Sequence, residues 1–282
     1  MENTTERQYH QKKIMMINDL SGYGRCSLTV AIPILAALKV QCCPVPTSIF
    51  SNHTGFSTWF FDDYTEKMPA YLEKWEELKL SFDGIAVGFL GSERQIEITE
   101  EAISRFSGSG VTVLVDPIMG DDGKAYATYT PELCKKMERL VKLAHIITPN
   151  LTESCILTGR PYRRQGWKRK ELEEMAKELQ AMGPKKVVIT GVREGGFLTN
   201  VAADGQETVF LRSRIAGEER PGTGDVFSAI LAGDMVNNVP FADSVRKAAG
   251  FIGKCIRRSD ELEIPRENGV CFEELLGRLI PK

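Results

Sequence analysis

Short apolar runs alternate with longer amphipathic stretches along most of the chain, and this rhythm restricts the fold more than any other feature. The runs Lys13–Ile17, Val40–Ile49, Gly84–Phe89, Val111–Val115, His145–Ile147 and Lys186–Ile189 have the length and composition of strands. Between them, Cys26–Lys39, Tyr64–Leu80, Glu93–Phe106, Pro131–Leu143 and Lys168–Met182 are patterned as helices. Such alternation builds a parallel sheet covered on both faces, and an unbroken run such as Val-Thr-Val-Leu-Val at 111–115 suits a strand buried on both sides. Towards the C-terminus the rhythm changes. Phe197–Ala203 and Thr208–Arg212 flank Asp204-Gly205, a hairpin-turn pair, and two helices follow, Asp225–Asn237 and Phe241–Arg258. No linker, repeat or low-complexity segment interrupts the pattern. The expectation is one domain over residues 12–282, with the hairpin as an antiparallel addition to the sheet, behind a polar, disordered tail at residues 1–11.

Composition narrows the function classes. With 36 basic and 38 acidic residues the net charge is -2, which gives no overall field towards nucleic acid or a membrane surface. The basic run Arg163, Arg164, Lys168, Arg169 and Lys170 has no aromatic ladder through it and reads as a solvated helix entrance. The 7 cysteines are odd in number, scattered and without a Cys-x-x-Cys pair, so neither a disulfide framework nor a zinc site is indicated. Met1–Gln11 lacks an apolar core like that of a secretory signal, and no apolar run approaches the ~20 residues that span a bilayer. A cytoplasmic protein is expected.

Polar clusters follow the strand candidates directly: Asn18-Asp19, Ser51-Asn52-His53-Thr54, Asp116-Pro117, Thr148-Pro149-Asn150 and Thr190-Gly191. In an open parallel sheet the ligand crevice lies beyond the carboxyl ends of the strands, so these clusters together describe a site built from many loops. Taken singly, each reads as a helix cap or turn, and it is the set that favours a site. Pro221-Gly222-Thr223-Gly224-Asp225 opens a helix, where glycines let backbone approach a ligand and the helix start favours an anion. Asp225 there is placed to take a proton from a hydroxyl, and it is equally placed to be an N-cap. Asn150 and Glu153 are three apart on one helical face, suited either to magnesium and its waters or to a capping box. Asp116 ends a buried strand where a metal–phosphate complex could be met, and Asp121-Asp122-Gly123 after it reads either as a flexible turn able to close over a ligand or as plain surface acidity.

With these motifs in this order the chain resembles the ribokinase superfamily and, within it, the pyridoxal kinase family. The narrower resemblance rests on Ser51-Asn52-His53-Thr54-Gly55, Asp116-Pro117-x-x-Gly120-Asp121, Ile146-Ile147-Thr148-Pro149-Asn150 and Met182-Gly183-Pro184-x-x-Val187-Val188-Ile189-Thr190, and it runs from about Lys13 to Arg258. It implies an α/β, ribokinase-like three-layer sandwich that phosphorylates the hydroxymethyl group of a B6 vitamer with ATP. By the same resemblance Asp225 activates the substrate oxygen, and Gly222, Thr223 and Gly224 form an anion hole. Asn150, Glu153 and Asp116 position Mg²⁺; Thr148, Asn150 and Thr190, with Gly222 and Gly224, meet ATP. Asp19, His53, Thr54 and Tyr126 face the pyridine ring. A monovalent cation such as K⁺ and a homodimer are also implied.

Asp19 departs from the serine that many members carry after the first strand. A carboxylate there favours a cationic vitamer such as pyridoxamine, unless it turns away to cap Ser21–Gly24. Among rival readings, Gly22-x-Gly24-x-x-Ser27 comes near a dinucleotide fingerprint but lacks its third glycine and the acidic residue after the next strand. No Walker-A loop is present. A non-catalytic binder on the same fold is disfavoured by Asp225 beside both glycines, and hydroxymethylpyrimidine kinase is the nearest rival.

Overall fold

The computed structural model describes residues 10–126 and 129–281. The expected tail at 1–11 therefore falls, except for His10 and Gln11, outside the described residues. His10 is tied down: its Nε2 lies 3.2 Å from the Asp83 carboxylate.

The sheet is built from β1 (Lys13–Tyr23), β2 (Gln41–Asn52), β3 (Phe61–Asp63), β4 (Gly84–Val87), β5 (Thr112–Val115), β8 (Ile146–Ile147), β9 (Lys186–Glu194), β10 (Phe197–Ala203) and β11 (Thr208–Arg214). Its order is β11-β10-β9-β8-β5-β4-β1-β2-β3. The strands from β9 to β2 run parallel, and β3, β10 and β11 are antiparallel additions. The short pair β6 (Gly120–Asp121) and β7 (Lys124–Ala125) stands apart as a hairpin.

Alternation along β1 shows why the strands read as unbroken apolar runs. Met15 and Ile17 enter one core and Ile14 and Met16 the other, and all are buried. The first core is covered by α2 (Met68–Glu77), α3 (Glu93–Phe106), α4 (Pro131–Leu143), α5 (Leu151–Thr158) and α6 (Arg169–Ala181). The second lies under α1 (Ser27–Ala37), α7 (Thr223–Val236) and α8 (Phe241–Glu261). This is the expected three-layer sandwich with its hairpin addition. Helix α7 is buried almost all round because α1 and α8 flank it on the sheet, so its residues read as apolar without a polar stripe.

The boundaries differ from expectation where polar residues continue a strand. Strand β1 runs on through Asn18-Asp19-Leu20-Ser21, because β2 pairs with it as far as Asn52 across a register shift between Asn18 and Leu20. The Asp121-Asp122-Gly123 turn is the tip of the β6–β7 hairpin, with φ +46 at Asp122 and +80 at Gly123, the left-handed pair that a tight hairpin needs.

Candidate active site

From β1 the chain passes to β2 on one side and later to β4 on the other, so the sheet's switch point lies between β1 and β4. Asn18 fills it. Its Oδ1 accepts the backbone N–H groups of Asp19 and Phe89, and its amide lies where a Cβ on Gly88 would stand only 2.6 Å away. Its Nδ2 donates to Asp225 Oδ1 at 3.4 Å.

Asp225 occupies the first turn of α7, half-buried. Burial pushes its carboxyl up to about 7; the charges of Asp19 and Asp116 act the same way, while the Ser27 N–H and the Asn18 amide oppose the shift. A carboxylate poised near neutrality suits general-base work. The two glycines before it serve different ends. Gly222 has φ +80 and is the N-cap of α7, and a Cβ there would lie 1.8 Å from the Arg25 carbonyl oxygen. Gly224 is exposed, and a Cβ on it would meet no atom within 4 Å. Fold geometry thus demands the first glycine, whereas only a ligand would demand the second. Thr223 turns its hydroxyl back to the Arg220 carbonyl at 3.2 Å.

Across from α7 lies a pair of buried carboxylates. Asp116, just past β5, accepts from Ser228 Oγ at 2.7 Å, and Ser228 sits one turn beyond Asp225 on α7. Thr148 is buried, with its hydroxyl 3.3 Å from Ser228 Oγ. Glu153 accepts from the N–H groups of Met119 (3.1 Å) and Asn150 (2.8 Å), and Asn150 Oδ1 accepts from the Glu153 N–H, which completes a capping box. Asn150 Nδ2 reaches the Gly120 carbonyl at 2.8 Å. Burial and mutual repulsion raise the Glu153 carboxyl well above the usual range, and burial raises Asp116. No group of three acidic, His or Cys side chains among the described residues forms a closed metal cage. These two buried carboxylates, neither ion-paired with a basic side chain among the described residues, nevertheless fit a hard divalent ion that keeps part of its water shell.

The remaining expected contacts stand as follows. Asp19 is buried within β1, and its oxygens accept from Ser27 Oγ (2.5 Å) and Ser21 Oγ (2.9 Å), so the carboxylate faces its own neighbourhood. His53 is wedged between Gly24 and Gly55; its Nδ1 accepts from the Gly55 N–H and its Nε2 lies 2.7 Å from the Glu267 carbonyl. Thr54 is exposed, as is Tyr126, whose backbone N–H donates to the Met119 carbonyl. Thr190 bridges to Asn150, its N–H donating to the Pro149 carbonyl. Ser228 was not expected from the sequence; Asn18 stood there in the polar cluster after β1 without a role of its own, and Ser27 only in the near-match to a dinucleotide fingerprint. Ser27 carries φ +53, rare for a residue with a side chain, at the very start of α1.

Fold and site together define a kinase of the ribokinase type. A Bacteroides thetaiotaomicron structure named for phosphomethylpyrimidine kinase, in a form with pyridoxal, is 36% identical, covers 96% of each chain and superposes with a TM-score of 0.90. Pyridoxal kinase from Lactobacillus plantarum is 26% identical with a TM-score of 0.88, covering 96% of this chain and 97% of its own. The pyridoxal kinase of Arabidopsis thaliana is 31% identical over 84% of this chain and 77% of its own. The phosphomethylpyrimidine kinase family profile matches residues 33–271, and the chain belongs to that family, as an enzyme of its pyridoxal kinase group.

Proposed function

We propose that this enzyme transfers the terminal phosphoryl group of ATP to the hydroxymethyl oxygen of a B6 vitamer (pyridoxal, pyridoxamine or pyridoxine), yielding the 5′-phosphate in a salvage reaction. The observation that carries the reading is Asp225: a carboxyl held up to about 7 at the N-terminus of α7, beside a glycine whose side-chain position is open. Asp225 removes the hydroxyl proton as the oxygen attacks. The N–H groups of residues 222–225, at the positive end of α7, receive charge that grows on the transferring group. Asp116, Glu153 and Asn150 would hold Mg²⁺, in part through its waters, and the ion supplies charge neutralisation to the ATP phosphates. Thr148, just past β8, and Thr190, midway along β9, line the phosphates. His53, Thr54 and Tyr126 form the ring side of the crevice, whereas the expected ring contact at Asp19 is not made, because its carboxylate is turned to Ser21 and Ser27. The enzyme works in the cytoplasm as a homodimer.

A second reading, hydroxymethylpyrimidine as acceptor, is supported by a Rhizobium meliloti relative named hydroxymethylpyrimidine/phosphomethylpyrimidine kinase, 25% identical over 87% of this chain and 91% of its own. Coupled ADP release with pyridoxal, pyridoxamine, pyridoxine and hydroxymethylpyrimidine separates the two. Turnover of at least one vitamer above hydroxymethylpyrimidine is expected; turnover of hydroxymethylpyrimidine alone would replace the first reading with the second.

A further inference from the structure

A buried cation stands directly behind the anion-hole loop. Arg220 is 8% exposed, and its Nη1 donates to the carbonyl oxygens of Ile264 (2.9 Å), Pro265 (3.2 Å) and Gly269 (3.4 Å). Its Nη2 donates to Asp260 at 2.9 Å. Those carbonyls converge because the chain is bent around them: Pro265 precedes the single tight turn Arg266–Asn268, and Gly269, at φ +76, reverses direction.

The same bend touches the segments on either side of the anion-hole loop. The Glu267 carbonyl meets His53 Nε2, and the Asn268 carbonyl accepts from Arg25 Nη1 at 3.0 Å. A Cβ on Gly269 would lie 3.1 Å from the Arg25 carbonyl oxygen and 3.2 Å from that of Pro221. The Arg25 carbonyl is also the atom against which Gly222 closes, and the Arg220 carbonyl accepts from Thr223 Oγ1. Residues 264–269 therefore set the position of 221–224, and the Arg220 guanidinium sets the position of 264–269.

Converging backbone carbonyls backed by a carboxylate are an oxygen-only donor set of the kind that takes a dehydrated alkali cation. A K⁺ ion, expected from the family resemblance, does not fit here, since the oxygens are already engaged by a fixed positive charge and an added ion would face it at contact distance. We infer that Arg220 is a built-in counterpart of the monovalent cation: a positioning residue that orders the anion-hole loop and makes the enzyme independent of K⁺. The inference rests on the kinase reading for its kinetic consequences and on geometry alone for its binding consequence.

The test is run on the full chain with the Tris salt of ATP, comparing choline, sodium, potassium and ammonium chlorides at fixed ionic strength. Wild-type kcat, KM for ATP and melting temperature are expected to be the same in all four. In Arg220→Ala, kcat is expected to fall by about 10- to 100-fold with a smaller change in KM, as for a displaced catalytic loop, and to be partly restored by low guanidinium or by K⁺. A several-fold loss of wild-type kcat on replacing K⁺ by choline overturns the inference. So does an Arg220→Ala enzyme that folds with normal kcat, or one that is impaired and restored by neither cation. If no acceptor is turned over at all, the proposed function fails instead; the melting temperatures still decide the cation question, because a K⁺-specific rise in wild type contradicts a filled cage. The same measurement serves if Arg220→Ala does not fold.

Discussion

Gly222 and Gly224 differ by two positions, yet the structure separates what each is for. An alanine at 222 would be forced into a left-handed backbone and into the Arg25 carbonyl, so Gly222→Ala is expected to lose at least about 2 kcal/mol, roughly 4–8 °C of Tm. Gly224 lies inside α7 with open space before it, and alanine is the better helix former there. Gly224→Ala should therefore leave Tm unchanged or slightly higher while kcat drops by about 10²-fold or more, as when an oxyanion donor is obstructed. Thermal melts beside initial rates check both, and a fully active Gly224→Ala would remove the anion hole from this loop. Asp225 adds a pH signature. With its carboxyl near 7, kcat/KM should rise with pH through about 7, and Asp225→Asn should lose that limb together with about 10²- to 10⁴-fold in kcat. The sign for stability runs the other way. A carboxyl whose folded pKa lies above its unfolded value takes up a proton on folding, so its contribution is complete below about 4 and lost as pH rises through about 7. Melting temperatures of Asp225→Asn and wild type should accordingly diverge in favour of Asn from about pH 5 to pH 8; an offset that shrinks over that range would show that the carboxyl is not held high.

At the scale of elements, α5 is the instructive one, because it satisfies both readings of its own sequence. The capping box of Asn150 and Glu153 is present, and the same Glu153 carboxylate reaches beyond it to the Met119 N–H, fastening the loop after β5 to the start of α5. Glu153→Gln replaces one of two accepting oxygens by a donor, so some loss of Tm is expected from the backbone bonds alone. As a magnesium position it should also raise the Mg²⁺ concentration giving half-maximal rate at saturating ATP; a lowered Tm with unchanged Mg²⁺ dependence would reduce Glu153 to its capping role. Sequence period made the elements readable wherever strand and helix were apolar enough to show it, and α3 and α4 have the bounds that the pattern implies. It failed where side-chain partners supplied what apolar packing did not. Strand β1 continues past Ile17 because Asn18, Asp19 and Ser21 satisfy one another and their neighbours, and β3 is too short to carry a period. The site shows the same division. Gly222, Gly224, Asp225, Asp116 and Glu153 stood in motifs, whereas Asn18 was one of a polar cluster without a role of its own and Ser228 an ordinary polar residue. Their partners lie 207 and 112 positions away, a pairing only the fold creates.

The whole molecule leaves one sheet edge unlike an ordinary surface. Among the described residues strand β3 pairs only with β2, and around it Trp59, Phe60 and Phe61 are 50%, 66% and 43% exposed, with Ile49 at 38%. A free edge carrying consecutive aromatics invites association, and charged or proline residues are the usual protection. Asp62 and Asp63 supply some charge, yet Asp63 turns inward to Thr65 and Gln95, leaving the aromatic row uncovered. The expected occupant is the same edge of a second copy, in keeping with the homodimer that the family resemblance implies. Such an edge also bears on the site, since β2 leads straight into His53 and Thr54, and Asn52 Nδ2 holds the Thr58 carbonyl at 2.8 Å, so that residues 53–60 form one loop between crevice and edge. Covering the edge should stiffen that loop. Phe60→Asp is therefore expected to convert a two-chain species into a one-chain species by light scattering, and to raise KM for the vitamer more than KM for ATP, because the phosphate side as proposed is built from α5, α7 and β9. A wild-type chain that scatters as a single copy at micromolar concentration, or a monomeric Phe60→Asp with an unchanged vitamer KM, would detach the edge from the function.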